Sequence, residues 1–348
     1  MKSRSLIIAA ALGLLILIFT AACTFESMDE QDREETFSVD NLAGQTVTLI
    51  VPHGAGGGYD TYARLIAPFL EKHTGATVVV ENISGAAGVP GRNELWFAEP
   101  DGYTIGISAY SSIIMNEIND LEAAEYSAKD FIYLAKITGE PTLIATGAAG
   151  NINSFQDLVQ MEMIKYGEPS VVDDTYFNTM VFGNDHELNI LPVTGYEGTA
   201  ELMLALFRNE FDILNRSLSN LLGFIDSGEV IPLVLNGFTR SEQLPDVPTM
   251  LELADSETAK DHAFLFATIV ENSRGFLAPP GMSPDAVSTW QEVLEVVLSD
   301  PELLEAANRN NLPINYMPGE EVSDLIMEAV RLGEGIKPLI KKLAEEAE

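Results

Sequence analysis

Hydrophobic residues along the chain form short continuous runs separated by longer amphipathic segments. TVTLIV (46–51) is rich in β-branched residues and continuous, as expected of a strand buried on both faces. ATVVVE (76–81) and YTIGIS (103–108) predict a second and a third strand. Between the first two runs, four apolar positions keep a helical spacing: Ala63, Ile66, Ala67 and Leu70. This alternation predicts a parallel sheet with helices on its faces.

The alternation resumes in the middle of the chain, after a crossing near residues 138–146. Apolar runs there predict three more strands, at 170–172, 211–214 and 230–236. Helical spacing predicts four further helices, at 198–209, 284–298, 301–310 and 319–347. No internal sequence repeat is visible. The chain is therefore predicted to be an α/β protein with two α/β halves.

The N-terminus has the features of an exported protein. Lys2 and Arg4 precede an unbroken apolar run at 6–19, which suits a signal peptide and is short for a membrane span of about 20 residues. Small residues then lead to Cys23, as in a bacterial lipobox, although Thr20 stands where an aliphatic residue is usual. An uncleaved anchor, or an ordinary signal peptide with an incidental cysteine, is the alternative. Either interpretation places the folded part outside the cytoplasm.

An acidic segment without apolar periodicity follows, from residue 24 to about 41, and is typical of a flexible tether. We therefore predict a signal peptide at 1–22 and a lipidated acidic tether at 23–43. Cys23 is the only cysteine, so no intrachain disulfide can form.

The charge balance excludes some partners. The chain has 53 acidic and 19 basic residues, a formal net charge of −34. Nucleic acids and anionic lipid surfaces require a Lys/Arg surface, which this composition does not provide. Any membrane association is therefore expected through the lipid anchor alone. The acidic surface itself favours solubility, including solubility in high salt.

Two glycine-rich turns follow the first two predicted strands. The first contains Gly54, Gly56, Gly57 and Gly58, and the second is SGAAGVPG (84–91). Neither the dinucleotide fingerprint nor the phosphate loop fits, because Tyr59 occupies the third glycine position and no lysine is near. Both turns still present free backbone N–H groups at a helix N-terminus, where an anion is stabilised. Because the strands are parallel, both turns are expected at one sheet edge.

These turns belong to a longer set of ordered motifs. VPHGAGGGYDTYAR, VVVENISGAAG and PDGYT resemble the opening of the receptors of tripartite tricarboxylate transporters, also called Bug-type solute-binding proteins. The likeness continues in GYEGTAELMLALFRNEFDIL, LPDVPTM and GFLAPPGMSPDAV, and it covers about residues 46–342. The resemblance implies a type II periplasmic-binding-protein fold, with two α/β lobes, a hinge and a ligand cleft between them. It also implies lobe 1 at 44–141 plus 272–348 and lobe 2 at 142–271.

The resemblance also implies a set of ligand-binding residues. In lobe 1 they are Ala55, Gly56, Gly57, Gly58, Tyr59, Asp60, Gly85, Ala86, Ala87, Gly88 and Ser108. In lobe 2 they are Asp173, Asp174, Thr175, Tyr196, Gly198, Thr199 and Arg216. Asp60 is also predicted to cap the helix that follows the first turn.

Lobe 2 departs from the family pattern in three places. The segment 172–176 contains acidic residues where the family usually has Gly, Ser or Thr. Glu197 stands where lysine is frequent, and Arg216 is an unexpected cation. If these acids line the cleft, they disfavour a second ligand carboxylate and favour a neutral or amino-bearing far end. A bridging cation at Asp173 and Asp174, or a loop that faces solvent, are the alternatives.

An enzyme is the less favoured hypothesis. The sequence contains neither G-x-S-x-G nor H-E-x-x-H, and its four histidines lack metal-ligand spacing. His53 lies beside the first turn, where it either contacts ligand or supports the turn. We expect no catalytic residue, no metal and no cofactor.

The sequence thus predicts a monomeric, lipid-anchored extracytoplasmic receptor, on the periplasmic face or the outer cell surface. It would capture a small carboxylate and deliver it to the integral-membrane permease subunits of a tripartite tricarboxylate transporter. A ligand-sensing surface lipoprotein without its own permease, a structural or adhesive surface protein, and an enzyme acting on a small carboxylate are the alternatives.

Overall fold

The computed structural model describes residues 36–169, 171, 174–196 and 199–346. Its eleven strands are β1 (Thr46–Val51), β2 (Thr77–Asn82), β3 (Thr104–Ser108), β4 (Ile132–Thr138), β5 (Thr142–Gly147), β6 (Ile164–Gly167), β7 (Ile190–Val193), β8 (Ile213–Ser217), β9 (Val230–Asn236), β10 (Arg274–Ala278) and β11 (Met317–Pro318).

Thirteen α-helices are described, and a 3₁₀ turn at Ala86–Gly88 precedes the third. They are α1 (Val39–Leu42), α2 (Gly58–Thr74), α3 (Val89–Trp96), α4 (Tyr110–Ile118), α5 (Phe155–Val159), α6 (Asp174–Asp185), α7 (Thr199–Phe207), α8 (Leu218–Asp226), α9 (Met250–Leu253), α10 (Glu257–Glu271), α11 (Pro284–Leu298), α12 (Pro301–Arg309) and α13 (Gly319–Glu346). None of these helices is long and apolar enough to cross a membrane.

The strands form two sheets, and the predicted α/β fold class is confirmed. The first sheet has the order β11-β4-β10-β3-β1-β2, and β2, β1 and β3 run parallel in it. The second has the order β7-β6-β8-β5-β9, with β7, β6 and β8 parallel. β10 and β5 run antiparallel to both of their neighbours. Each sheet thus combines a parallel βα core with an antiparallel strand.

The predicted strand at 170–172 is wrong, and the strand lies instead at β6, Ile164–Gly167. Pro169 follows β6 and lacks the backbone N–H that continued pairing would require, and Val171 lies in a turn. Ser170 and Val172 lie outside the described residues. The crossing predicted at 138–146 is shorter, because Thr142–Gly147 is strand β5. Helix α10 and strands β4, β7 and β10 were not predicted.

Helix α13 is shared between the two sheets. It packs against β4 and α4 beside the first sheet, and against α6 and α10 beside the second. One hydrophobic cluster accordingly joins Tyr110 of α4, Phe266 of α10 and Ile326 of α13. A second cluster, which includes Leu143, Leu206 and Leu235, lies on the other face of the second sheet. The C-terminal helix therefore ties the two sheets together.

Two chain segments connect the sheets, at 139–141 and 272–273, and the first packs against the end of α10, directly before the second. A Cβ atom on Gly139 would overlap the backbone of Glu271. The Glu140 N–H donates to the Val270 carbonyl oxygen at 3.3 Å. The side chain of Asn315 accepts from the Gly139 N–H at 3.1 Å and donates to its carbonyl oxygen at 2.8 Å. Only glycine fits at this crossing.

We expect Gly139→Ala to lower the free energy of unfolding by about 1–3 kcal/mol or more, because the added methyl group must displace backbone. Gly335→Ala is the matched control. It lies in α13 with open space around it, and alanine favours a helix by about 0.5–1 kcal/mol over glycine. Urea denaturation measures both variants. Equal stability of Gly139→Ala and wild type would show that the crossing is not close-packed.

Candidate functional site

The two glycine turns meet at the carboxyl edge of the first sheet. Val51 at the end of β1 pairs with Asn82 at the end of β2, so the chain leaves both strands at the same level. A Cβ atom on Gly88 would lie 2.6 Å from the Pro52 carbonyl oxygen and 3.3 Å from His53 Cε1. The second turn therefore packs directly on the first, as the parallel strands predicted.

Asp60 supports the first turn from beneath. Helix α2 begins at Gly58 with Gly57 as its N-cap, so the prediction that Asp60 caps the helix is wrong. Asp60 is 3% exposed, and its Oδ2 accepts the Gly56 N–H at 2.7 Å and the Arg64 Nε–H at 3.0 Å. The Arg64 guanidinium, assisted by that N–H, holds the pKa of the Asp60 carboxyl below its ordinary value. Asp60 thus fixes the turn rather than facing the solvent.

A buried arginine supports the second turn. Arg92 in α3 is 1% exposed, and its Nε–H donates to the Tyr126 hydroxyl at 2.8 Å. Its Nη1 donates to the Ser108 Oγ at 3.5 Å and lies 2.9 Å from the position of a Cβ on Gly88. Ser108 is itself 1% exposed, so it lies beneath the turn. The sequence patterns gave no indication of Arg92.

His53 lies between the two turns. Its ring stacks on Tyr59, with centroids 4.3 Å apart and an angle of 15° between the planes. Burial, and then the charges of Arg92 and Arg274, lower the pKa of His53. Its Nε2 is buried and has no hydrogen-bond partner in the described part of the chain. The turn therefore carries a neutral imidazole with an unsatisfied polar atom.

Arg274 places a cation at the start of helix α2. The guanidinium carbon lies 4.8 Å from the Tyr59 ring centroid and 5.3 Å from that of Tyr62. Its Nη2 lies 3.2 Å from where a Cβ on Gly58 would be. Among the described residues, no carboxylate forms an ion pair with Arg274. A cation held by two aromatic faces at a helix N-terminus is a suitable place for an anion.

Gly58, Tyr62 and Arg274 line a cleft of about 690 Å³ between the two sheets. Its lining combines both sheets and both crossing segments: Gly58, Tyr62, Thr138, Gly139, Glu140, Thr142, Thr175, Ser217, Ser219, Ile269, Val270, Ser273, Arg274, Asn311, Leu312 and Pro313. Of the predicted site residues that are described, Gly58 and Thr175 line this cleft. Arg274, which sequence reasoning missed, also lines it and is the first residue of β10.

A buried ion pair supports the second-sheet wall of the cleft. Arg216 Nη2 lies 2.8 Å from Glu168 Oε1, and the two residues are 8% and 0% exposed. Thr175 Oγ donates to the same carboxylate at 3.2 Å, and the Tyr166 hydroxyl also donates to it. Burial, followed by the Glu168 charge, raises the pKa of Tyr166 well above its ordinary value. Arg216 is therefore balanced by Glu168.

The other predicted residues of the second half lie elsewhere or outside the described chain. Asp173, Glu197 and Gly198 are outside the described residues. Asp174 and Thr199 are the first residues of α6 and α7. The ring of Tyr196 packs against Phe211, 5.5 Å between centroids. Within the described residues, no group of three or more His, Cys, Asp or Glu side chains could hold a metal ion.

We expect Arg216→Ala to lower the free energy of unfolding by about 3–5 kcal/mol, because it leaves the Glu168 carboxylate buried without a cation. Arg208→Ala is the control. Arg208 is 68% exposed and only loosely paired with Glu210, so its loss should cost about 0–1 kcal/mol. Denaturant titration monitored by circular dichroism compares the two. If both variants lost a similar amount of unfolding free energy, the Glu168 carboxylate would be hydrated by water and would not need the cation.

Comparison with known proteins gives one consistent family. A family model described as "Tripartite tricarboxylate transporter family receptor" matches residues 62–344. Among curated proteins, the UPF0065 protein in the TAR-I ttuE-ttuC' intergenic region of Agrobacterium vitis is 27% identical over 290 residues. That match covers 79% of this chain and 78% of the relative.

Solved structures agree on the fold. A ligand-free TctC solute binding protein from Polaromonas has a TM-score of 0.73 at 19% identity, covering 84% of this chain and 97% of that one. MatC from Rhodopseudomonas palustris, solved with bound malate, has a TM-score of 0.57 at 19% identity, covering 84% of this chain and 99% of that one. At these identities the likeness establishes the fold alone.

Proposed function

The chain belongs to the tripartite tricarboxylate transporter receptor family, and from this premise we propose that it captures a small carboxylate in the cleft between its two sheets. It then delivers the ligand to the permease subunits of a tripartite transporter. The malate held by the relative from R. palustris supports a carboxylate as the ligand class. The protein acts as a receptor and not as an enzyme.

Arg274 is the observation that carries this proposal. Its guanidinium lines the cleft, has no carboxylate partner among the described residues, and lies against the first turn of α2. A carboxylate bound there accepts charge-assisted hydrogen bonds, each worth about 1.5–3 kcal/mol. His53 and the N–H groups of the glycine turn lie beside it. The ligand thus supplies a counter-ion that Arg274 lacks among the described residues.

Capture also requires the cleft to close. In this proposal lobe 1 comprises 44–141 and 272–348, lobe 2 comprises 142–271, and the crossings at 139–141 and 272–273 form the hinge. Ligand binds first to Arg274 and the glycine turn of lobe 1, and lobe 2 then covers it. The closed form differs in surface shape from the open form, which gives the permease a basis for recognising loaded receptor.

We expect Arg274→Gln to weaken carboxylate binding by about ten-fold to a hundred-fold, through loss of a charge-assisted contact. Thermal-shift screening of malate, adipate, monocarboxylates and amino acids identifies a ligand, and calorimetry then measures its affinity. Arg309→Gln is the control, since Arg309 is 64% exposed and pairs with Glu305 on its own helix.

Two results would contradict the proposal in different ways. If no small carboxylate raises the melting temperature of wild-type protein, the receptor function is wrong. If a carboxylate binds Arg274→Gln and Arg309→Gln equally well, the receptor function stands but its site lies elsewhere.

The N-terminal part of the proposal concerns residues 1–35, which lie outside the described residues. We propose that 1–22 is removed as a signal peptide, that Cys23 carries lipid, and that the receptor is held at the extracytoplasmic side of the cell envelope. The intact mass of protein extracted from membranes is expected to equal residues 23–348 plus the acyl groups. An unmodified Cys23, or a mass that retains residues 1–22, would contradict the lipid anchor.

A further inference from the structure

The charged residues in the described lining of the cleft have opposite signs. Of the described residues that line it, Arg274 and Glu140 are charged and the rest are neutral. Glu140 follows Gly139 in the first crossing, and Ser219 Oγ donates to its Oε1 at 2.9 Å. In the described part of the chain no cation pairs with Glu140, and it does not pair with Arg274. Two opposite charges thus share one cavity without neutralising each other.

Tyr62 lines the same cleft as these two charges. Its ring is one of the two faces that hold Arg274, and its hydroxyl donates to the Pro313 carbonyl oxygen at 2.8 Å. Burial raises the pKa of Tyr62, while Arg274 acts to lower it and Glu140 to raise it further. Both charges therefore lie within electrostatic reach of a single phenol, although they belong to different segments of the chain.

The described residues of the second-sheet wall offer no additional cation to a ligand. Arg216 is paired with Glu168, and the described residues that line this wall are the neutral Thr142, Thr175, Ser217 and Ser219. A dicarboxylate that placed one end on Arg274 would bring its other end toward Glu140 with no positive group to meet it. Like charges about 4 Å apart at an effective dielectric near 20 repel strongly enough to reduce affinity about a thousand-fold.

We infer that the ligand is a small carboxylate that also carries an ammonium group, with Arg274 binding the carboxylate and Glu140 binding the ammonium. This inference rests on the proposed carboxylate receptor function and specifies its substrate class. An amino carboxylate satisfies both charges of the cleft, whereas a simple carboxylate leaves Glu140 without a partner. Ser219 holds the Glu140 carboxylate in place for this contact.

Matched compounds test the inference at several distances between the carboxylate and the ammonium group. At each chain length from three to six carbons, the probes are the ω-amino acid, the 2-amino acid, the unsubstituted monocarboxylate and the dicarboxylate. Calorimetry on wild-type protein is expected to give at least about ten-fold tighter binding for one amino compound than for the monocarboxylate of equal length. The dicarboxylate of that length is expected to bind most weakly.

Glu140→Gln supplies the decisive comparison, because glutamine keeps the hydrogen bond to Ser219 and loses the charge. The preference for the amino compound is expected to fall about ten-fold or more in this variant, and dicarboxylate binding is expected to improve. Glu305→Gln, on the exposed face of α12, should leave the order of affinities unchanged.

The possible failures are distinguishable. If a dicarboxylate binds most tightly and its binding depends on Arg274, this inference is overturned and the receptor function stands. A preference for amino compounds that persists in Glu140→Gln would also overturn it, because the ammonium would then bind elsewhere. If neither these compounds nor any compound of the wider carboxylate screen binds, the receptor function itself is overturned.

Discussion

The arrangement of the cleft depends on the close packing of Gly139, in the first segment that connects the sheets, against the end of α10. Gly139 leaves no room for a side chain against the backbone of Glu271, and the Asn315 side chain hydrogen-bonds both the N–H and the carbonyl oxygen of Gly139. Gly139 directly follows the end of β4, and Glu271 lies three residues before the start of β10. Glu140 and Arg274 lie next to these two points. Both cleft charges are thus placed close to one backbone contact.

Buried side chains support the two glycine turns from the protein interior, so that the outer side of each turn remains open. Asp60 satisfies a backbone N–H of the first turn, and Arg92 fills the space below the second. Both side chains are almost fully buried. Neither is available for direct contact with a ligand, but each fixes the backbone that faces it. Precise placement of backbone donors requires this kind of rigid support.

Strands and helices that form from a continuous local pattern were predicted well from the sequence. The strands at 46–51 and 230–236 and the helix at 284–298 are found at the predicted bounds, because each is a long run with one clear periodicity. Strand β6 was missed because it has only four residues, of which Lys165 is exposed. The parallel neighbours β1 and β2 were enough to place the two glycine turns at one edge.

The charges of the cleft could not be predicted in the same way. Arg274 is significant because Tyr59 and Tyr62, more than two hundred positions earlier in the sequence, hold its guanidinium. Arg216 looked available in the sequence, and only the fold shows that Glu168 balances it. Such pairings depend on which segments the sheets bring together. Local propensity and spacing contain no information about them.

Arg274, which forms no ion pair among the described residues, lies in a molecule of strongly negative net charge, formally −34. At distances beyond the contact, an approaching anion therefore experiences repulsion from the whole surface, which slows association at low ionic strength and is screened by salt. A ligand with no net charge avoids that barrier and still presents a carboxylate once it arrives. In such a receptor, the speed of capture would depend little on the salinity of the surroundings.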